Sequence, residues 1–85
     1  MSKVTVYTKP ACGPCLATKR ALTASGVEFK EIRLYPVTDA TGALLERFRE
    51  RGLLSAPIVE VEGMDPWSGF QPARISDAVS HLGLD

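Results

Sequence analysis

Apolar and polar residues alternate along Val4-Thr5-Val6-Tyr7-Thr8, a β-rich run that predicts a first strand. Pro10 to Pro14 reads as a loop that runs into a helix. In that helix Leu16, Ala17, Ala21 and Ala24 fall on one face at helical spacing, and Gly26 marks its end. A second strand is expected over Val27–Leu34, with partial alternation and apolar residues on both faces, ended by Pro36. Thr38-Asp39-Ala40-Thr41 offers caps for a second helix that turns Leu44, Leu45 and Phe48 inward and stops at Gly52. Pro57-Ile58-Val59-Glu60-Val61 predicts a third strand, Glu62-Gly63-Met64-Asp65 a turn, and Pro66 to Phe70 a short return strand. Gln71-Pro72 opens a last helix whose apolar positions are Ile75, Ala78, Val79 and Leu82.

The predicted order is β-α-β-α-β-β-α. Its first βαβ unit implies a parallel strand pair with a right-handed crossover. The last two strands are close enough for an antiparallel hairpin. The expected fold class is therefore α/β, a four-stranded mixed sheet with helices on both faces. With 85 residues, 45% apolar and 24% charged, the chain reads as one globular domain over residues 1–85. A chain of this size buries roughly 60–65% of its unfolded surface, so a compact layered core is needed.

Charge excludes some classes. Ten bases balance ten acids, and no basic block would track a nucleic-acid backbone. Acids accompany the bases in every segment but the first, and the plain reading of these charges is solvated helix faces. No apolar run reaches the ~18–20 residues of a membrane span. Strand-like sequence begins within a few residues of Met1, with no signal-peptide pattern, so a cytoplasmic protein is expected.

The two cysteines, Cys12 and Cys15, then change the picture. In a reducing compartment a Cys-x-x-Cys pair is more often catalytic or metal-binding than structural. Cys12 sits where the helix begins, and the free N–H groups and dipole there favour an anionic sulfur. Lys9 adds positive charge, and no acid lies within ten residues of either cysteine. Gly13 removes bulk beside the sulfur, and Pro14 suits a first-turn position where a missing N–H costs little. Cys15, a turn into the helix, should be more buried. The roles follow from exposure: Cys12 attacks a substrate disulfide, and Cys15 resolves the mixed disulfide. A purely structural disulfide would close so short a loop that it stabilises by only on the order of 2 kcal/mol. Structural zinc needs four ligands, whereas the chain offers its two cysteines and a distant His81, which suits a cation or cap role at a helix end. No metal and no bound cofactor are expected. Pro57 opens the third strand, where a missing N–H is tolerated, and its residue pair alone carries a low prior for a cis bond.

Three stretches together resemble the thioredoxin superfamily, and more narrowly the NrdH-type redoxins. They are Val4 to Thr18 with its CGPC, Ser55-Ala56-Pro57-Ile58-Val59, and Trp67-Ser68-Gly69-Phe70 followed by Pro72 and Ile75. The WSGF run is the specific signal. The resemblance implies a thioredoxin fold, a cis Ala56–Pro57 bond facing the cysteines, and backbone hydrogen bonds from Ala56 to an extended substrate peptide. It implies electron delivery to ribonucleotide reductase by a carrier re-reduced by NADPH-dependent thioredoxin reductase, with a monomer as the default state. The active-site loop would comprise Lys9, Pro10, Ala11, Gly13 and Pro14, lined by Thr8 and Lys9. Ala56, Pro57, Trp67, Ser68, Gly69 and Phe70 would form the partner-facing segment. For Trp67, docking near the cysteines and packing of the hairpin are equally open; for Phe70 the simpler reading is packing against the last helix.

The chain departs from this pattern twice. Gly13-Pro14 is the thioredoxin pair, which moves the potential toward about −270 mV. Gln71 and Ala73 stand where the family carries Arg and Asp, leaving Arg74 to replace part of a network between hairpin and last helix. Two other readings compete. A glutathione-dependent glutaredoxin would need Thr-Val-Pro and a Gly-Gly-x-Asp turn, where this chain has Ser55-Ala56-Pro57 and Trp67-Ser68-Gly69-Phe70. A non-enzymatic redox-sensing or binding module would not need an intact CGPC.

Overall fold

The computed structural model describes residues 2–84, so the two terminal residues of the expected 1–85 domain lie outside it. Its elements are β1 (Val4–Thr8), α1 (Gly13–Ala24), β2 (Lys30–Arg33), α2 (Asp39–Glu50), β3 (Ile58–Val61), β4 (Trp67–Ser68) and α3 (Pro72–His81). The expected β-α-β-α-β-β-α order is present. The sheet order is β2-β1-β3-β4. β1 runs parallel to β2 with Thr8 opposite Arg33, and antiparallel to β3 with Tyr7 opposite Ile58. β4 closes the hairpin antiparallel to β3, with Ser68 opposite Ile58. The ends of β1, β2 and β4 and the start of β3 therefore meet at one edge of the sheet.

Period-two alternation divides the core. Val4, Val6, Val59, Val61 and Trp67 pack with Leu22 of α1 and Ile75 and Ala78 of α3 on one face. Tyr7 and Ile58 point to the other face, where Phe48, Leu44 and Leu45 of α2 cover them with Leu34. The Tyr7 and Phe48 rings meet edge to face at 4.8 Å. The Tyr7 hydroxyl donates to Glu60 at 2.7 Å. Burial first, and then this carboxylate, push the Tyr7 phenol up to about 12.

The helix ends follow local chemistry. Thr38 caps α2 in a reciprocal box with Thr41, and Asp39 in the first turn and Arg47 and Arg49 in the last complement the dipole. Gly26 and Gly52 both adopt φ of +77° just after α1 and α2 end, which only glycine accepts without strain.

Several expectations are corrected. The inward face of α1 is Cys15, Thr18 and Leu22, with Ala21 packed beside them; Leu16 is 45% exposed and Ala24 is exposed. Small residues such as alanine satisfy either face, so the apolar stripe alone does not set which side of α1 meets the sheet. β2 is shorter than Val27–Leu34, although both of those ends are buried as loop residues. β3 starts at Ile58, one residue past Pro57. The return strand is confined to Trp67–Ser68 because Gly69 turns to φ +83°.

Candidate active site

Ala11 precedes the first cysteine with φ +53°, a left-handed conformation rare for a residue with a Cβ. Cys12 then takes extended geometry as the N-cap of α1, and its sulfur accepts the Cys15 N–H at 3.1 Å. Gly13 and Pro14 fill the first two helical positions, so proline removes a donor that the helix would leave unpaired. Cys12 and Cys15 are joined as a disulfide across 5.2 Å between Cα atoms. Cys15 is 3% exposed, whereas Cys12 is half-buried, so an incoming sulfur reaches Cys12 first. No acid lies in the first turn of α1 to oppose charge on that sulfur.

The second part of the site comes from the start of β3. The Ala56–Pro57 bond is cis, and Pro57 is buried. The Ala56 carbonyl oxygen lies 3.8 Å from the Cys12 sulfur, within reach of a thiol proton once the disulfide opens. Gly69 N–H donates to the Pro57 carbonyl at 2.7 Å and ties the hairpin to this loop. Tyr35–Pro36 is also cis, which residue pattern did not suggest.

Among the other expected site residues, Lys9, Pro10, Ala11, Gly13 and Pro14 are exposed around the sulfur pair. Ser68 and Gly69 are half-buried, and Phe70 is 42% exposed, so Phe70 is not the packing residue expected. Trp67 is the reverse. At 3% exposure its ring belongs to the core between β3, α1 and α3, which removes it from the docking surface. Its Nε1 has no hydrogen-bond partner among the described residues, and the Arg74 guanidinium stacks 5.5 Å from its ring centre. Arg74 also donates to the Asp65 carbonyl at 3.3 Å, while Gln71 Nε2 donates to the Ser68 carbonyl at 2.8 Å. Gln71 and Arg74 thus join the hairpin to α3. His81, at the far end of α3, holds the other side of the hairpin through Nε2 and the Glu62 carbonyl at 2.9 Å.

One cluster beside the site was not foreseen. Thr8, 2% exposed, donates to Glu31 at 2.8 Å. Lys19 of α1 bridges both Glu31 oxygens at 3.1 and 3.2 Å. The Thr8 hydroxyl, ahead of Lys19 and Arg33, holds the Glu31 carboxyl below its usual range. In sequence these residues are far apart, and only the parallel pairing of β1 with β2 brings them together.

A half-buried, reachable sulfur at a helix start, a buried partner sulfur and a cis-proline loop at the edge of this sheet define a thiol–disulfide oxidoreductase of thioredoxin fold. A sequence model of glutaredoxin matches residues 4–64. The glutaredoxin-like protein NrdH of Salmonella typhimurium is 38% identical over 73 residues, 86% of this chain and 84% of that one. The gene 56 protein of Mycobacterium phage L5 is 30% identical across 92% of this chain and 73% of its own length. A solved structure of the Escherichia coli NrdH-redoxin superposes with a TM-score of 0.71 at 38% identity, covering 87% of this chain and 91% of that one. Glutaredoxin from Methanosarcina mazei, at 24% identity and a TM-score of 0.78, shares the fold. The chain belongs to the glutaredoxin family, in its NrdH-type branch.

Proposed function

We propose that this protein is a cytoplasmic dithiol carrier that reduces ribonucleotide reductase and is itself re-reduced by NADPH-dependent thioredoxin reductase rather than by glutathione. The observation that carries the reading is the asymmetry of the two sulfurs, with Cys12 reachable and Cys15 buried behind it. Similarity to an NrdH-redoxin with a thioredoxin-like activity profile supports the choice of reductase. The expected monomer suits a carrier that presents one sulfur to two partners in turn.

The reaction runs in two exchanges. The Cys12 thiolate attacks one sulfur of the substrate disulfide, the substrate S–S bond breaks, and the departing thiolate takes up a proton. Cys15 then loses its proton and attacks Cys12, which releases the second substrate thiol and leaves the Cys12–Cys15 disulfide. During the first exchange, the cis Ala56–Pro57 loop offers backbone to the substrate strand beside Cys12. Lys9, Pro10, Ala11, Gly13 and Pro14 form the rim, and Ser68, Gly69 and Phe70 extend it along the hairpin end.

NADPH oxidation tests this, with insulin or a ribonucleotide reductase as acceptor. Either thioredoxin reductase or glutathione with its reductase supplies electrons. Turnover with thioredoxin reductase is expected. Turnover only with glutathione would assign a glutathione-dependent glutaredoxin, and turnover with neither a binding module.

A further inference from the structure

Net charge is zero over the whole chain, yet charge is unevenly placed. Between Ser2 and Val27 there are four bases and no acid. Glu60 bonds Tyr7 on the opposite, α2 face of the sheet; on the α1 side Glu31 reaches this region, and Lys19 and Thr8 occupy both of its oxygens. Lys19–Glu31 is the one ion pair among the described residues. Lys9 and Arg20 are exposed and carry no such partner. Arg33, exposed at the end of β2, lies on the same strand face as Glu31 and beside the start of the active-site loop. Asp39 opens α2 on the opposite face of the sheet, and Asp77 lies in the middle of α3.

These bases flank an apolar stripe. Cys12, Leu16 and Arg20 follow one another at intervals of four along α1, so they share a side of the helix. Leu16 is 45% exposed, and past it Lys19, Arg20, Thr23 and Ala24 line a shallow depression of about 320 Å³. Arg20 stands about 12 Å along the helix from Cys12, the reach of roughly four extended residues.

We infer that the outer face of α1 with Lys9 and Arg33 is a docking surface for an acidic polypeptide segment. That segment carries an apolar residue next to the partner's cystine and carboxylates about three to four residues from it. This rests on the dithiol reaction proposed above and specifies the chemistry of its substrate. Lys9 and Arg20, with no ion-pair partner among the described residues, gain from an incoming carboxylate, and Leu16 gives the segment an apolar foothold beside the reacting sulfur. Overall neutrality leaves no long-range field of one sign, so attraction is local to this face.

The test uses pre-reduced protein in single turnover, which needs no reductase. Three two-chain cystine peptides of equal length carry Glu, Gln or Lys four residues from the disulfide. At an ionic strength of about 0.02 M the Glu peptide should be reduced about fivefold to tenfold faster than the Gln peptide, with the Lys peptide slowest. At about 0.5 M salt the three rates should converge. Arg20→Glu with Arg33→Glu, both at exposed positions, should invert the order. Alkylation of Cys12 by neutral iodoacetamide should be unchanged in that variant. Equal rates at low salt, or a variant whose alkylation shifts along with its peptide rates, would overturn the docking surface. Reduction of none of the peptides would instead overturn the dithiol reaction.

Discussion

Trp67 tests the division between packing and docking most directly. Its ring is 3% exposed and packs among Val59, Leu22 and Ile75, so Trp67→Ala leaves a large cavity in the α1–α3 face of the core. Truncating a buried aromatic costs about 3–5 kcal/mol. Losing the Arg74 stack at 5.5 Å adds about 0.5–1 kcal/mol. A domain of this size has about 5–15 kcal/mol in total, so Trp67→Ala should be at best marginally folded. Trp67→Phe should differ. It removes an Nε1 that has no partner among the described residues, which relieves about 1–3 kcal/mol of unmet desolvation, and it loses a similar amount to a smaller cavity. The net change should stay within about 1.5 kcal/mol. Urea unfolding followed by far-UV circular dichroism measures both, since the only tryptophan is itself replaced. With a slope of about 1 kcal/mol per molar urea, the Ala midpoint should fall by about 3 M or more, and the Phe midpoint by less than about 1.5 M. The Phe variant should keep its rate with thioredoxin reductase. A stable Trp67→Ala that loses coupling to the reductase would show that this ring docks a partner and would refute the packing argument.

Phe70→Ala should behave oppositely: at 42% exposure its loss should change stability by about 0.5 kcal/mol or less, while kcat/KM with the partner reductase falls by about tenfold. Cys12→Ser should abolish disulfide reduction, and Cys15→Ser should trap substrate on Cys12, as peptide mapping of the adduct would show; an adduct on Cys15 would reverse the roles. Gly63→Ala should cost about 2–3 kcal/mol in thermal or urea unfolding, because φ is +88° and the new Cβ would stand 2.9 Å from the His81 ring, displacing it from the Glu62 carbonyl. Gly26→Ala, with φ +77° and nothing within 4 Å, should show only the conformational share, about 1–2 kcal/mol. The Tyr7 phenol is raised in the folded state, so its contribution is complete below the unfolded value near 10 and is lost as pH rises toward about 12; Tyr7→Phe should flatten that alkaline loss in a pH series of unfolding midpoints.

Much of this molecule is written locally. The spacing of Cys12 and Cys15, the proline and glycine between them and the strand pattern before them place a dithiol at a helix start, because N-cap geometry depends on a few neighbouring residues. The glycines and prolines likewise mark where helices and strands stop, since φ limits act residue by residue. Tertiary structure decided whatever depends on partners distant in sequence. WSGF was legible as a motif, but its tryptophan is core and its phenylalanine is rim, because side chains alternate across β4 and the turn at Gly69. Leu16 is surface and Thr18 is core because packing on the sheet, not the composition of α1, sets which side of the helix turns inward. Pairing β1 with both β2 and β3 set Glu31 beside Thr8 and the Ala56 carbonyl beside Cys12. Local sequence thus determined which atoms can react; long-range packing determined which of them a partner can reach.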